Sequence, residues 1–151
     1  MDEPSTVYVA VVGAGANVAP ELLAAAETVG VLLARHGAVV VTGGLGGVME
    51  AACRGARMVG GTTLGLLPGE ERAAANRWVS VAVATGMGEL RNGLVVRTSE
   101  AVIAIAGEYG TLSEIALALK LGRRVIGLGT WEINGVQRAS DPAAAVELAL
   151  G

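Results

Sequence analysis

The chain has no phenylalanine, one cysteine, one histidine and only 3% aromatic residues, and 17% of its 151 residues are charged. Cys53 alone cannot form an intrachain disulfide, and Cys53 with His36 cannot build a zinc site, so no metal ligands are expected. Basic residues number 11 against 14 acidic ones, and the pI is near 5.2. Without a basic cluster the chain cannot track phosphates along DNA or RNA, so nucleic acid is not an expected partner. No apolar run reaches the roughly 18 residues of a membrane helix. The first residues carry Asp2 and Glu3 instead of a basic leader region. A cytoplasmic protein without a membrane partner is the expectation.

Apolar residues and glycine are plentiful. Hydrophobic residues make up 52%, glycines number 23, and the mean hydropathy of +0.56 with a net charge of -3 excludes an expanded, disordered chain. One domain over 1–151 suits this length. So apolar a composition exposes more hydrophobic surface than a monomer of this size tolerates, which predicts a homodimer or homotetramer.

Strand-length apolar runs recur at residues 7–12, 38–41, 62–67, 79–84, 101–106 and 125–128. Between and after them, helices are expected over 20–35, 47–59, 89–99, 111–121 and 142–150, the last opened by Ser140 or Asp141 ahead of Pro142. Runs that are apolar throughout are what parallel strands covered on both faces look like. The fold expected is a single Rossmann-like, doubly wound α/β domain with a mostly parallel central sheet and helices on both faces. Strand order does not follow from these runs.

Three glycine-rich loops follow strands: Gly13, Gly15 and Asn17 in the first, Gly43, Gly44, Gly46 and Gly47 in the second, and Gly107, Glu108, Gly110 and Thr111 in the third. Each leads toward a helix N-terminus, where free N–H groups favour anions. The dinucleotide pattern fails, because Val18 stands where the third glycine belongs and Thr42 where an acidic ribose ligand would. A Walker loop fails too, since the only lysine, Lys120, lies late in a helix. What remains is a site that holds a phosphate-bearing small molecule through backbone donors.

The charged residues in or just beyond these loops are Glu114, Arg91, Glu108 and Glu50. Thr111 and Glu114 have the TxxE spacing of a capping box, so the residues alone leave Glu114 as a helix cap or as a catalytic carboxylate. On the residues alone Arg91 reads as a solvated helix residue, His36 as a favourable helix C-terminal charge, and Cys53 as a small core filler.

The order of motifs, GAGAN, then VVVTGGLGGVMEAACRGARMVGGTTLGLLPG, then ELRN, then AGEYGTLSEIALALK, resembles the Lonely guy and lysine decarboxylase-like superfamily. Within it the chain is similar to the branch that includes the molybdenum cofactor carrier proteins. The resemblance spans roughly residues 7–128 and implies the fold and homo-oligomerisation. It does not imply pyridoxal chemistry, for which Lys120 on a helix face is the sole Schiff-base lysine available.

In the Lonely guy enzymes, nucleoside 5'-monophosphates lose their base by hydrolysis of the N-glycosidic bond. Their catalytic Glu and Arg correspond to Glu114 and Arg91, with phosphate held around Gly43–Gly47 and Gly107–Thr111. This chain departs from the hydrolase pattern at Ala106 and Glu108, where that pattern has Pro and Gly, and at Arg91 and Asn92, where it has Arg and Lys. Glu108 brings negative charge toward the phosphate site. The departures fit the carrier-like branch better, which implies binding of molybdenum cofactor or a nucleoside monophosphate by these loops together with Met49 and Asn92. Phosphoribohydrolase activity is the alternative.

Overall fold

The computed structural model describes residues 5–151; Asp2 and Glu3, on which the expectation about a leader region rested, lie outside the described residues. The strands are β1 (Tyr8–Gly13), β2 (Val39–Thr42), β3 (Thr63–Leu67), β4 (Val81–Ala84), β5 (Ala101–Ile105), β6 (Arg124–Leu128) and β7 (Gln137–Arg138). They form one sheet in the order β4-β3-β2-β1-β5-β6-β7. Every pair is parallel, so the sheet is all-parallel where the sequence had implied mostly parallel. The helices are α1 (Pro20–Arg35), α2 (Val48–Met58), α3 (Arg91–Thr98), α4 (Tyr109–Lys120) and α5 (Pro142–Leu150).

The period-2 alternation of the central strands sorts their side chains between two cores. Val9, Val11, Ile103 and Ile105 face α1, α2 and α5, while Ala10, Val12, Val102 and Ala104 face α3 and α4. This is the doubly wound arrangement expected from runs that are apolar throughout. The small residues of α1 and α2 let the two helices touch: a Cβ at Gly30 would lie 2.0 Å from the Ala52 carbonyl oxygen. Arg54 spans the same contact to Glu27 at 2.8 Å. Asp141 caps α5 by accepting from the Ala144 N–H at 2.8 Å, with Pro142 behind it as the start signal required.

Several boundaries differ from expectation, each for a physical reason. The strand expected from 79 begins at Val81, because the Ser80 N–H is taken by the Thr63 carbonyl and hydroxyl. The helix expected over 89–99 divides into a 3-10 turn, Gly88–Leu90, and α3, with Gly88 at φ +59° before it. β7 is a two-residue polar edge strand without the apolar run by which strands are recognised. Helix α4 starts at Tyr109 with Glu108 as its N-cap residue. Thr111 is therefore in the first turn and Glu114 in the second, so the TxxE spacing does not make a capping box. Among the described residues no helix is long and apolar enough to cross a membrane.

Candidate functional site

From β1 the chain works outward to β4 and then returns to lay β5 against the other side of β1. The connections after β1 and β5 consequently leave for opposite faces, and a crevice opens between them at the carboxyl edge of the sheet. It is a cleft of about 390 Å³.

The loops meet there largely as their spacing implied. Gly13, Gly15, Asn17, Gly43, Met49, Arg91, Asn92, Glu108, Gly110, Thr111 and Glu114 all line the cleft. Gly44, Gly46, Gly47, Gly107 and Glu50 do not; the four glycines shape the walls. The Gly44 N–H donates to Thr42 Oγ1 at 3.0 Å, and its φ of +79° turns the second loop. Gly46 and Gly47 pack on the first loop, where a Cβ on Gly47 would come 2.2 Å from the Ala14 carbonyl oxygen. That carbonyl accepts the Val48 N–H at 3.0 Å, so the first amide of α2 is spent on the neighbouring loop and is not offered to a ligand. Gly107, at φ +114°, has no room for a Cβ beside the Thr111 side chain. The helix end that does face the cleft is that of α4, through Gly110 and Thr111.

Arg91 opens α3 and is only 9% exposed. Its guanidinium donates to Asn92 Oδ1 and, at 3.5 Å, to the Gly43 carbonyl, while its Nε has no partner. Gly43 leaves the space it occupies, since a Cβ there would lie 2.6 Å from the guanidinium. Glu114, on the wall formed by α4, is 7% exposed. Burial pushes its carboxyl up to about 7, and the charge of Arg91 pulls the other way. The same burial lowers the Arg91 value, opposed by Glu114. The two side chains stop short of a direct ion pair.

At the rim, Glu108 is exposed and its carbonyl accepts the Trp131 indole N–H at 3.1 Å. Trp131 also stacks on Tyr109 at 6.2 Å between ring centroids. No sequence signal marked Trp131 for this place, because it reaches the loop across tertiary space. Ala14 and Ala16, also lining, were flagged only indirectly by the glycines around them. Ala106, preceding this loop, has φ +55°, and its N–H donates to the Leu128 carbonyl. Proline, locked near φ −65° and lacking an N–H, could not sit there. The departure from the hydrolase pattern at this position thus accompanies a different loop conformation. Cys53 is buried away from the cleft against Thr42, as a core residue. His36 ends α1 and contacts the Leu32 carbonyl at 2.8 Å.

An all-parallel, doubly wound sheet with a charged cleft at its switch point defines a Rossmann-like α/β protein. The chain belongs to the SLOG cluster4 family, which it matches over residues 6–149. An Archaeoglobus fulgidus protein is 44% identical over 120 residues, covering 80% of this chain and 78% of its own. Among solved structures, the molybdenum cofactor binding protein of the phototrophic bacterium Rippkaea orientalis is 36% identical. It superposes with a TM-score of 0.91, over 97% of this chain and 96% of that one. The Moco carrier protein of Chlamydomonas reinhardtii is 34% identical with a TM-score of 0.85, over 94% of both chains.

Proposed function

We propose that this protein binds an anionic, phosphate-bearing pterin, the molybdenum cofactor, as cargo in the cleft at the β1/β5 switch point. The observation that carries the reading is the convergence of the α4 N-terminus, the Arg91 guanidinium and the β1 loop on one cleft at the carboxyl edge of the sheet. The similarity to cofactor-binding and carrier proteins over nearly the whole chain supports it. Among the described residues the lining side chains include no Cys or His. Such a site would hold its cargo by the phosphate and the heterocycle. The α4 amides at Gly110 and Thr111 and the charge of Arg91 take the phosphate.

The test is incubation with molybdenum cofactor released from a molybdoenzyme under anaerobic conditions, followed by gel filtration and a thermal melt. Co-elution of pterin and metal with the protein, and a melting temperature raised in proportion to the logarithm of ligand concentration, are expected. Free elution with an unmoved melt overturns the reading. Arg91→Ala should weaken retention by at least tenfold, the loss of one charge-assisted contact to phosphate.

One observation favours a second reading, a nucleoside 5'-monophosphate phosphoribohydrolase: the buried Glu114 carboxyl faces the same cleft as Arg91. A carboxylate there would stabilise positive charge developing on a ribose. Release of ribose 5-phosphate from a panel of nucleoside monophosphates, lost in Glu114→Gln, would establish it. The reading also includes assembly into a homodimer or homotetramer, supported by the exposed apolar side chains of Met58, Val81, Val83 and Leu90. A single monomer peak in sedimentation velocity at micromolar concentration would exclude assembly.

A further inference from the structure

Glu114 is an unusual wall for an anion site. Its carboxyl lies in the cleft, 7% exposed, and among the described residues it has no hydrogen-bond donor and no direct ion pair. The groups around it are few. Arg91 approaches from α3 and Glu108 from the β5–α4 loop. The other walls bring Val12 of β1, Met49 of α2 and Asn92 of α3, none of which titrates. Lys120 ends α4 and Arg124 opens β6 at the opposite edge of the sheet, where Arg124 donates to the Leu148 and Ala149 carbonyls.

Among the described residues, Arg91 is thus the only cation lining the cleft. An anion that pairs with Arg91 neutralises the one charge that favours an ionised Glu114, and adds a second negative charge beside it in a poorly hydrated space. The carboxyl relieves this by taking a proton from solvent. It then changes from a repelling acceptor into a donor aimed at the anion. We propose that Glu114 couples ligand binding to protonation: on binding of a phosphate-bearing ligand it takes up one solvent proton and donates it in a hydrogen bond to that ligand. The inference rests on the ligand reading given above. The proton balance is one O–H bond formed on Glu114 per ligand bound, with the proton drawn from buffer.

Because the free carboxyl titrates near 7, it is roughly nine-tenths ionised at pH 8 and mostly protonated at pH 6. Uptake is therefore near one proton at pH 8 and small at pH 6. Affinity falls by up to tenfold per pH unit above about 7.

The experiment is titration calorimetry of the full chain with a metal-free pterin phosphate monoester, at pH 6 and pH 8, in buffers of different protonation enthalpy. The expected result is a buffer-dependent heat at pH 8 corresponding to nearly one proton taken up. In Glu114→Gln the uptake at pH 8 disappears, because the amide donates without titrating, and the change in affinity that remains between pH 6 and pH 8 is that of the ligand's own phosphate, whose second pKa is near 6. Glu114→Ala, which has no donor, binds more weakly than Glu114→Gln at pH 6. Binding by the parent with the same heat in both buffers at pH 8 overturns the proposal and leaves the ligand reading standing, as does uptake that persists in Glu114→Gln. No binding at either pH overturns the ligand reading and this proposal with it.

Discussion

Strands β5 and β4 are written in nearly the same alphabet, AVIAI and VAVA, yet one is the most enclosed strand of the sheet and the other one of its most open. Every residue of β5 is buried, whereas Val81 and Val83 of β4 are 50% and 41% exposed. An apolar run tells that a strand exists; its rank in the sheet tells what the strand is for. β5 lies beside β1, supports both cores, and delivers the chain into the loop that forms one wall of the cleft. Among the described residues β4 lies at the edge and pairs with β3 alone.

The contrast can be broken most severely at its centre. Ile103→Ala empties a side chain with no exposed surface in the larger core and should cost about 4 kcal/mol of stability, read as a lower midpoint in urea with an unchanged slope. An unshifted midpoint would mean that β5 is not the structural centre described here. Next in size is Ala106→Pro, which restores the hydrolase-type residue. It should cost about 3 kcal/mol, because proline can neither adopt φ +55° nor donate to Leu128. A normally stable, folded Ala106→Pro would show that this loop has the conformation of the hydrolase pattern after all.

The third effect depends on pH. Glu114 titrates near 7 in the folded protein and near 4.5 when unfolded, so between these values the folded state binds the extra proton. Its contribution to stability is complete below about 4.5 and is lost as pH rises through 7, an effect on the order of 3 kcal/mol. Glu114→Gln should therefore flatten the fall in melting temperature between pH 5 and pH 8. A parallel fall in both proteins would place the titration elsewhere. The smallest change belongs to the open edge: Val83→Ala should move stability by less than about 1 kcal/mol in the monomer. A larger loss that grows with protein concentration would reveal that β4 is covered by another copy of the chain.

Much of the cleft was legible in the chain because loops after parallel strands must open at the carboxyl edge, and glycine is what tight backbone approach requires there. Gly13, Gly15, Gly43 and Gly110 reached the cleft for that reason. Gly44, Gly46, Gly47 and Gly107 share their composition but not their place, since which glycine lines a wall and which supports it depends on what lies behind each backbone. Glu114 shows the same limit from the other side. Its TxxE spacing fitted a cap as well as a functional carboxyl, and the cap is removed because the N-cap of α4 is Glu108, three residues before Thr111. Sequence signals place helix starts less finely than that. Trp131 carried no signal at all, because its contact with Glu108 joins residues far apart in the chain.

Alternating apolar runs and helix-length segments by themselves determined a doubly wound α/β domain, because period-2 strands that are apolar on both faces must be covered by helices on both sides. The glycine loops by themselves determined that backbone would line whatever site the domain has. Tertiary structure alone decided that β5 returns beside β1, and so that the first and third loops face each other across a cleft. It alone decided that Arg91 and Glu114 share that cleft, where burial shifts both groups toward their neutral forms. Spacing along a chain carries no information about desolvation; the charge state of a side chain is settled by what surrounds it once the chain has folded.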